Sequence, residues 1–260
     1  MCTQSSGGRL RAVLSNRHHV LRALCTESAT KPELVEKLDA SRSTIDRAIR
    51  DLEDVECIES SDGRYRPTTT GQLALLEYDD YVSKTDTIDH ATAFVNELPA
   101  ESPIDCAMLR GCEITLSEPH APELALQSSI DVFDRATTMR GLAPVVLTLY
   151  PKLIGDQVAA GDLTVEIVAQ QNVVDSLAAL DGNNGAQMTE TDAVSIYSTT
   201  DSLPYALWIM ETSEQDVAGI TAYADGSVHG VLTNDSDVAL RWAQDQYQTY
   251  KSRATRMETL

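Results

Sequence analysis

The apolar and polar positions between residues 29 and 69 predict two short helices, a tight turn and a small hairpin. The second helix begins after Ser41, a favourable N-cap residue, and its apolar side chains recur at helical spacing. These apolar side chains are Ile45, Ala48, Ile49 and Leu52. The first helix spans Pro32 to Leu38, with Thr30 as its N-cap and a proline in its first turn. The short link at residues 39–41 requires a sharp angle between the two helices.

A hairpin follows the helix pair. Cys57–Glu59 and Arg64–Arg66 form short strands around an Asp62-Gly63 turn, and Asp-Gly between such strands favours a hairpin. Because side chains alternate along a strand, Arg64 and Arg66 are expected on one face. Two helices, a tight turn and a hairpin indicate a winged helix-turn-helix. The alternative is a solvated hairpin on an unrelated small domain.

Helices flank this segment, and an alternating pattern follows them. Residues 11–26 predict a helix, and residues 70–97 predict a long helix or two shorter ones that break near Thr85-Asp86. From Ile104 onward, strands and helices alternate and further strands follow, which predicts an α/β domain with a mixed sheet. The strands are predicted at Cys112–Leu116, Arg140–Thr148, Leu163–Ala169, Ala193–Ser198, Pro204–Glu211, Val217–Ala224 and Val228–Leu232. The helices are predicted at Glu123–Thr137, Tyr150–Ala160, Asn172–Leu180 and Val238–Met257, with a loop at residues 181–185.

The predicted fold class is therefore α+β or α/β, in four segments. Residues 1–10 form a disordered tail, residues 11–70 a winged helix-turn-helix, residues 71–98 a linker or dimerisation helix, and residues 99–260 an α/β sensing or assembly domain. A proline-containing stretch at residues 98–103 is the clearest linker. The sequence has no long apolar run and no apolar segment near its start, so we expect a cytoplasmic protein without a membrane span.

Charge changes this picture, because a net charge of −20 argues at first against a nucleic-acid partner. Residues 1–70 hold 11 basic and 11 acidic side chains, whereas the remainder holds 9 and 29. The negative excess thus lies outside the predicted winged helix-turn-helix, as expected for a DNA-binding module joined to an acidic domain. The acidic, lysine-poor composition also predicts adaptation to high intracellular salt. In molar salt the Debye length falls to about 3 Å, and counterion release contributes less to DNA affinity.

Hydroxyl and guanidinium groups gather on the second helix and on the hairpin. In a helix-turn-helix the second helix enters the major groove, where arginine can bond to guanine and serine or threonine to bases. Arginines on a wing suit phosphate or minor-groove contact. The candidate DNA-binding residues are Ser41, Arg42, Ser43, Thr44, Arg47, Arg50, Arg64 and Arg66.

Residues 40–71 resemble the winged-helix domain of archaeal transcription regulators, in their Ser-Arg-x-Thr helix start, their internal arginine and the Thr-x-x-Gly that opens the next helix. The downstream chain is similar to haloarchaeal regulators whose C-terminal part is called the methanogenesis-regulator middle domain, with the sugar-responsive TrmB regulators as more distant relatives. The resemblance spans about Leu14 to Met257 and implies a degenerate phospholipase D-like α/β fold. It is carried downstream by Leu116–Pro122, Gly141–Val146, Leu203–Leu207 and Ala243–Ala254.

Catalytic motifs are missing from the sequence. Phospholipase D chemistry needs His-x-Lys, and neither His90, His120 nor His229 is followed by that lysine. The sequence also lacks G-x-S-x-G, H-E-x-x-H and the P-loop pattern. We therefore expect no enzymatic activity, no cofactor and no metal. Five cysteines without paired spacing indicate free thiols in a reducing compartment, and a redox pair of Cys106 and Cys112 is the less favoured alternative.

A ligand site is expected outside the carboxyl ends of the strands, as in open α/β sheets. Glu118, His120 and Arg140 are polar groups that could converge there; loops and caps without a ligand are the alternative. The candidate strand ends are residues 143–144, 169–171, 199–201 and 211–212.

The leading hypothesis is a sequence-specific transcription regulator of a halophilic archaeon that binds double-stranded DNA as a homodimer. Dimerisation is expected because one short helix reads only a few base pairs. The C-terminal domain would sense a small-molecule effector or mediate assembly. The alternative is an adaptor whose winged helix binds a protein partner and no DNA.

Overall fold

The computed structural model describes residues 6–118, 120–145, 149–179, 193–224 and 227–257. The chain divides into two compact units, Met1–Asp86 (unit 1) and Thr87–Leu260 (unit 2). The helices are α1 Ser6–Thr26, α2 Lys31–Leu38, α3 Arg42–Glu53, α4 Thr69–Val95, α5 Cys106–Leu109, α6 Gln127–Phe133, α7 Leu149–Ala160, α8 Gln171–Ala179 and α9 Asp237–Lys251. The strands are β1 Ile58–Ser61, β2 Arg64–Pro67, β3 Glu113–Leu116, β4 Ala136–Ala143, β5 Thr164–Gln170, β6 Val194–Thr199, β7 Ala206–Thr212, β8 Val217–Ala224, β9 Ser227–Asn234 and β10 Thr255–Arg256.

Unit 1 is a helix-turn-helix with a two-stranded wing, defined here as residues 58–67. Thr30 caps α2 in a capping box with Glu33, and Asp39 turns the chain in a left-handed conformation. The wing strands pair antiparallel, and Tyr65 also pairs with Ala29 ahead of α2. The turn between the wing strands uses Gly63 at a φ of 79°, where a side chain would be strained. One apolar core joins α1, α2, α3 and the start of α4.

Unit 2 is built on an eight-stranded mixed sheet in the order β10-β6-β5-β4-β7-β8-β9-β3. The neighbours β4, β5 and β6 are parallel, and every other pair in the sheet is antiparallel. Side chains of α6, α7 and α8 contribute to the core on one face of the sheet. Side chains of α5, α9 and residues 91–98 contribute to the core on the other face. The predicted mixed sheet is therefore confirmed.

Several predicted bounds differ from the structure. Helix α1 begins at Ser6, so residues 6–10 are helical and do not belong to a disordered tail. The helix predicted at Glu123–Thr137 is a short 3-10 turn followed by α6, and β4 begins at Ala136. The final helix ends at Lys251, and residues 255–256 pair with β6. The division between the units falls inside α4 and not at the linker predicted at residues 98–103. The loop predicted at residues 181–185 lies outside the described residues.

Within the described parts of the chain, no helix is both long enough and apolar enough to cross a bilayer.

Candidate nucleic-acid interface

Helix α3 starts from a hydroxyl cluster at its N-terminus. The Ser41 hydroxyl accepts a hydrogen bond from the Thr44 backbone N–H at 3.1 Å, which caps the helix. The same hydroxyl lies 2.8 Å from the Thr44 hydroxyl and 3.0 Å from the Ser43 hydroxyl. Ser41 and Thr44 therefore have a structural role at the cap, whereas Ser43 is exposed beside them.

The two sides of α3 differ sharply in burial. The side predicted to be apolar is fully buried, with none of its side chains more than 1% exposed; its members are Ile45, Ala48, Ile49 and Leu52. Arg42, Arg47 and Arg50 are exposed. At 3.6 residues per turn, Ser43, Arg47 and Arg50 project opposite the buried side, and Arg42 projects from its flank. Burial thus fixes the orientation of an exposed face with three arginines.

Acidic residues of α3 and its C-cap are paired with cations from other helices. Lys31 of α2 binds Asp46 at 2.7 Å, and Arg17 of α1 binds Asp51 at 2.9 Å. Arg9 of α1 binds the C-cap residue Asp54 at 2.9 Å. In the described parts of the chain no ion pair involves Arg42, Arg47 or Arg50.

The pKa of Asp46 shows the effect of the cationic side chains around it. A hydrogen bond from Lys31 and its charge hold the pKa of Asp46 below its ordinary value, and Arg50 contributes in the same direction. The Asp46 carboxylate is therefore ionised and already engaged with a lysine. The three arginines are left to define the charge of that face.

The two wing arginines are less free than the sequence predicts. The Arg64 guanidinium donates to the Ser28 carbonyl and hydroxyl and to Glu33, at 3.2 Å for the last. Arg66 binds Glu59 on the facing strand at 2.7 Å, with 62% of the arginine side chain exposed. Arg64 therefore braces the wing against the region ahead of α2, and only Arg66 is presented by the wing itself.

In unit 2, the three residues predicted to converge on a ligand make separate contacts. Arg140 binds Glu211 at 2.7 Å across β4 and β7. The Glu118 carbonyl accepts a hydrogen bond from the Ala121 backbone N–H at 3.1 Å, and His120 is exposed. The described contacts do not bring the three side chains together, so their convergence stays a prediction.

A polar cluster that the sequence analysis did not identify lies between the sheet and α9. Glu166 of β5 accepts from the Tyr247 hydroxyl at 2.6 Å and from Lys251 at 2.5 Å. Tyr197 of β6 donates to the same carboxylate at 3.3 Å, and the Lys251 ammonium lies 4.8 Å from the Tyr197 ring centroid. Residues so far apart in sequence show no local signal of this cluster.

The described ranges also hold candidate metal ligands and free thiols. Those ranges contain no cluster of three or more His, Cys, Asp or Glu side chains able to hold a metal. Cys57 and Cys112 are buried free thiols whose pKa is raised by burial, which makes them less reactive. Cys25 is an exposed free thiol.

Two family models match the chain. Residues 122–253 match the model described as methanogenesis regulatory protein FilR1, middle domain. Residues 7–90 match the model described as HVO_A0261 N-terminal domain. The resemblance of the downstream chain to methanogenesis regulators is therefore confirmed. No curated protein matches the chain.

Three solved structures are similar to the chain at 10–13% identity. TrmBL2, described as an archaeal chromatin protein with a novel mode of DNA binding, is 10% identical, with 94% of each chain covered and a TM-score of 0.44. NucT from Helicobacter pylori is 11% identical, with 56% of this chain and 98% of its own covered and a TM-score of 0.41. Nuc, a phospholipase D family member from Salmonella typhimurium, is 13% identical, with 57% and 99% covered and a TM-score of 0.40.

Proposed function

The chain belongs to the family defined by the middle domain of methanogenesis regulatory protein FilR1, and we propose that it is a sequence-specific DNA-binding transcription regulator. One observation carries the proposal. Three of the four acids of α3 and its C-cap, at positions 46, 51 and 54, are held by Lys31, Arg17 and Arg9, and Glu53 is the fourth, while the arginines of α3 are exposed. A helix most of whose acids are neutralised by neighbours presents a cationic face to a polyanion.

We place α3 in the major groove. Ser43, Arg47 and Arg50 project from the side opposite the core, and an arginine can bond bidentately to guanine there. Arg42 lies at the first turn, where recognition helices contact base edges. Ser41 and Thr44 act through the cap, because their hydroxyls already bond to each other and to the helix backbone.

The wing contributes one phosphate contact, from Arg66. Its pair with Glu59 is half-exposed on both sides, and such surface pairs contribute little to stability, so a phosphate can displace the carboxylate. Arg64 acts indirectly by fixing the position of the wing through Ser28 and Glu33. In this proposal the two wing arginines therefore have different roles, whereas the sequence pattern favoured two arginines that both contact DNA.

We propose that the regulator is a homodimer that uses the part of α4 within unit 1. Leu73, Leu76 and Tyr81 are 58%, 64% and 62% exposed on that helix. A second copy is the expected occupant because a recognition helix reads only a few base pairs and regulators of this type bind paired half-sites.

Leu73→Ser combined with Leu76→Ser should lower the molecular mass measured by analytical ultracentrifugation from that of a dimer to that of a monomer. Val238→Ser, at an exposed position on α9, is the matched control. A wild-type monomer at all concentrations would contradict the dimer.

Unit 2 is proposed as the effector-sensing part, in a protein of a salt-adapted archaeal cytoplasm. Its acidic, lysine-poor composition supports the salt adaptation, and the sheet architecture supports a ligand site at strand ends. We further propose that the chain has no phosphodiesterase activity, because none of His90, His120 and His229 is followed by the lysine of the phospholipase D motif. Turnover of a phosphodiester by the purified chain would contradict that proposal.

DNA binding is tested with the upstream region of the protein's own gene and a random duplex of equal length, by mobility shift across a potassium chloride series. Arg47→Ala and Arg50→Ala should each weaken binding to the cognate duplex by about 1–3 kcal/mol and weaken the random duplex less. Arg22→Ala is the matched control, because Arg22 lies on α1 and binds Asp79.

Two results would contradict the proposal. Equal losses of affinity for both duplexes would mean that the arginines contact only phosphates and do not read the base sequence. The lack of a shift at every salt concentration, together with a stable heteromer on sizing, would favour the protein-binding adaptor.

A further inference from the structure

The eight-stranded sheet of unit 2 ends at two edge strands, β10 and β3. Strand β10 has only two residues, Thr255 and Arg256, and the arginine places a charge on that edge. Strand β3 spans Glu113–Leu116 and includes the apolar residues Ile114 and Leu116. Very short strands and charged side chains protect sheet edges from pairing with further strands, whereas apolar side chains do not. The β3 edge is therefore the less protected of the two.

The hydrogen bonds between β3 and β9 decide which backbone groups of β3 point outward. Ser117, the residue after β3, donates its backbone N–H to the His229 carbonyl at 2.7 Å. Because hydrogen-bonded pairs alternate along an antiparallel ladder, Ile114 and Leu116 do not bond to β9 and direct their N–H and C=O groups to the free edge. Within the described parts of the chain these four groups have no hydrogen-bond partner.

The side chains of β3 agree with an open edge. Glu113, Thr115 and Leu116 are exposed, with Leu116 at 41%, and Ile114 packs partly on the core shared with α5 and α9. Because side chains alternate along a strand, Ile114 and Leu116 lie on the same face. Two apolar side chains beside unpaired backbone donors and acceptors form a docking site for an added antiparallel strand.

The sequence of β3 fits a second copy of itself. An antiparallel partner has to bond through the outward residues, which pairs Ile114 with the partner's Leu116 and Leu116 with the partner's Ile114. Thr115 then lies opposite the partner's Thr115 on the two-fold axis, and Glu113 lies opposite the partner's Ser117. Both N–H groups and both C=O groups of the outward residues gain partners in each copy, and apolar side chains lie beside apolar side chains.

Charge also favours this register. Glu113 faces a serine hydroxyl that can donate to it, and its own symmetry mate lies about 14 Å away because four residues of strand separate the two. Sliding the partner by two residues in one direction would place Ile114 opposite the acidic Glu118, and in the other direction would place Leu116 opposite Cys112, which is buried. Sliding it by four would place Glu113 opposite its own copy, and directly opposed like charges are destabilising. One register therefore satisfies every residue of the strand, which argues for a second copy as the occupant.

We propose that the β3 edge is a self-association surface, at which two copies of unit 2 pair antiparallel and join their sheets edge to edge. This contact depends on unit 2 alone and goes beyond the proposed regulator function and its α4 dimer. Because one short strand on each side buries less surface than a standard interface, we expect a Kd of about 100 µM or above. Together with a dimer through α4, a second isologous contact would assemble chains into a closed tetramer or an open array.

Association is measured by sedimentation equilibrium on the full chain carrying Leu73→Ser and Leu76→Ser, which removes the apolar residues assigned to the α4 dimer. Molar potassium chloride is used because its Debye length is about 3 Å, so that the net charge of −20 no longer opposes association. The mass should rise from monomer towards dimer as the concentration passes about 100 µM. The α4 dimer itself is judged at micromolar concentrations, so the two proposals succeed or fail in different samples.

A proline at the outward position tests the role of the edge. Leu116→Pro removes one outward N–H and the exposed leucine side chain without removing a hydrogen bond to β9, so the Kd should rise about tenfold or more. Arg256→Pro is the matched control. Because Met257 donates its backbone N–H to Ile196, Arg256 directs its own N–H outward from β10, and its replacement should leave the Kd unchanged.

A disulfide tests the register. Residues opposite each other in a non-hydrogen-bonded antiparallel pair have Cα atoms about 4.5 Å apart, within the disulfide range of about 4.4–6.8 Å. Thr115→Cys, in the same chain with Cys2, Cys25 and Cys106 replaced by serine, should therefore cross-link to its own copy when oxidised with copper phenanthroline. Glu113→Cys, on the same face, is the matched control and should cross-link about tenfold more slowly or less, because its two copies lie about 14 Å apart.

Three results would overturn the proposal. A chain that stays monomeric at every concentration in molar salt would exclude a second copy and leave the edge to a strand of another protein. A Leu116→Pro chain that is folded and associates as strongly as its parent would place the contact elsewhere. Equal cross-linking rates of Thr115→Cys and Glu113→Cys would indicate random collision and exclude the paired register.

Discussion

The two units use ionic interactions in opposite ways. Residues 1–86 carry 12 basic and 15 acidic side chains, and their ion pairs join exposed groups around α3. Residues 87–260 carry 8 and 25, and their most buried ion pair, Glu166–Lys251, lies between the sheet and α9. In unit 1 the ion pairs neutralise acidic side chains of α3 and its C-cap, whereas in unit 2 the Glu166–Lys251 pair holds α9 against the sheet. The two units therefore differ in the arrangement of their ion pairs as well as in net charge.

Two glycine substitutions, one in each unit, test most strongly whether the units unfold in separate transitions. A Cβ at Gly71, at the start of α4, would lie 1.9 Å from the Cys57 carbonyl oxygen. A Cβ at Gly219 would lie 2.1 Å from the Trp208 ring. Gly71→Ala should destabilise unit 1, and Gly219→Ala should destabilise unit 2, each by about 3 kcal/mol, because overpacking displaces backbone or a buried ring. Calorimetry of the full chain measures both transitions.

Gly8→Ala is the control for these substitutions, because a Cβ at Gly8 meets nothing within 4 Å. In a helix that change should stabilise by at most about 1 kcal/mol. If Gly71→Ala and Gly219→Ala each lowered a single shared transition, the chain would unfold as one cooperative body and the contrast between the units would lose its thermodynamic basis.

The anchoring role of Glu166 predicts a pH dependence confined to unit 2. Burial alone would raise the pKa of Glu166, but hydrogen bonds from Lys251 and Tyr247 and the Lys251 charge outweigh it and hold that pKa below its ordinary value. The stabilisation is therefore complete above the ordinary glutamate pKa and is lost as the pH falls through the lowered one. Glu166→Gln should cost about 2 kcal/mol at neutral pH and flatten the acid limb of the unit 2 stability curve.

Glu214→Gln serves as the matched substitution, because Glu214 is 71% exposed in its pair with Arg135. It should change the free energy of unfolding by less than about 0.5 kcal/mol. Equal effects of the two variants, or an unchanged acid limb in Glu166→Gln, would mean that the Glu166 cluster anchors nothing.

A smaller effect is expected where the sequence pattern and the structure disagree about the wing. Arg64→Ala should lower the stability of unit 1 by about 1 kcal/mol, because it removes hydrogen bonds to Ser28. Arg66→Ala should leave stability nearly unchanged and reduce the salt dependence of DNA binding by about one phosphate contact. Thermal unfolding and binding across a salt series distinguish the two. Identical behaviour of the two variants would restore the pattern of two equivalent arginines.

The sequence predicted what is local and periodic. The buried side of α3, the Ser41 cap and the Asp62-Gly63 turn all depend on residues a few positions apart, and the structure contains each of them. The start of β4 was misplaced because residues 123–137 can satisfy an apolar helical pattern even though tertiary packing ends α6 at Phe133. Packing between distant segments overrides such a pattern.

The contacts that position side chains could not be predicted from sequence. Arg64 and Ser28 are separated by 36 residues, and Glu166 and Lys251 by 85. No spacing rule links residues that are this far apart. The contact of the Trp208 ring with Gly219 likewise depends on the register of β7 and β8 and on the side to which the ring turns.

The smallest expected effect tests most directly whether pairing of the α3 acids shapes the cationic face. Asp54→Asn removes the negative charge that pairs with Arg9 and leaves one guanidinium next to α3 without an ion-pair partner. Affinity for DNA should then rise about two- to threefold at low salt, because one more phosphate can be neutralised, and the gain should vanish in molar salt. Stability should change little, since the pair is more than half exposed on both sides.

Asp62→Asn is the control, because Asp62 lies at the tip of the wing turn and the substitution removes an equal charge away from α3. If both variants raised the affinity equally, the gain would follow from net charge alone, and the pairing of α3 acids would have no specific part in the DNA-binding face.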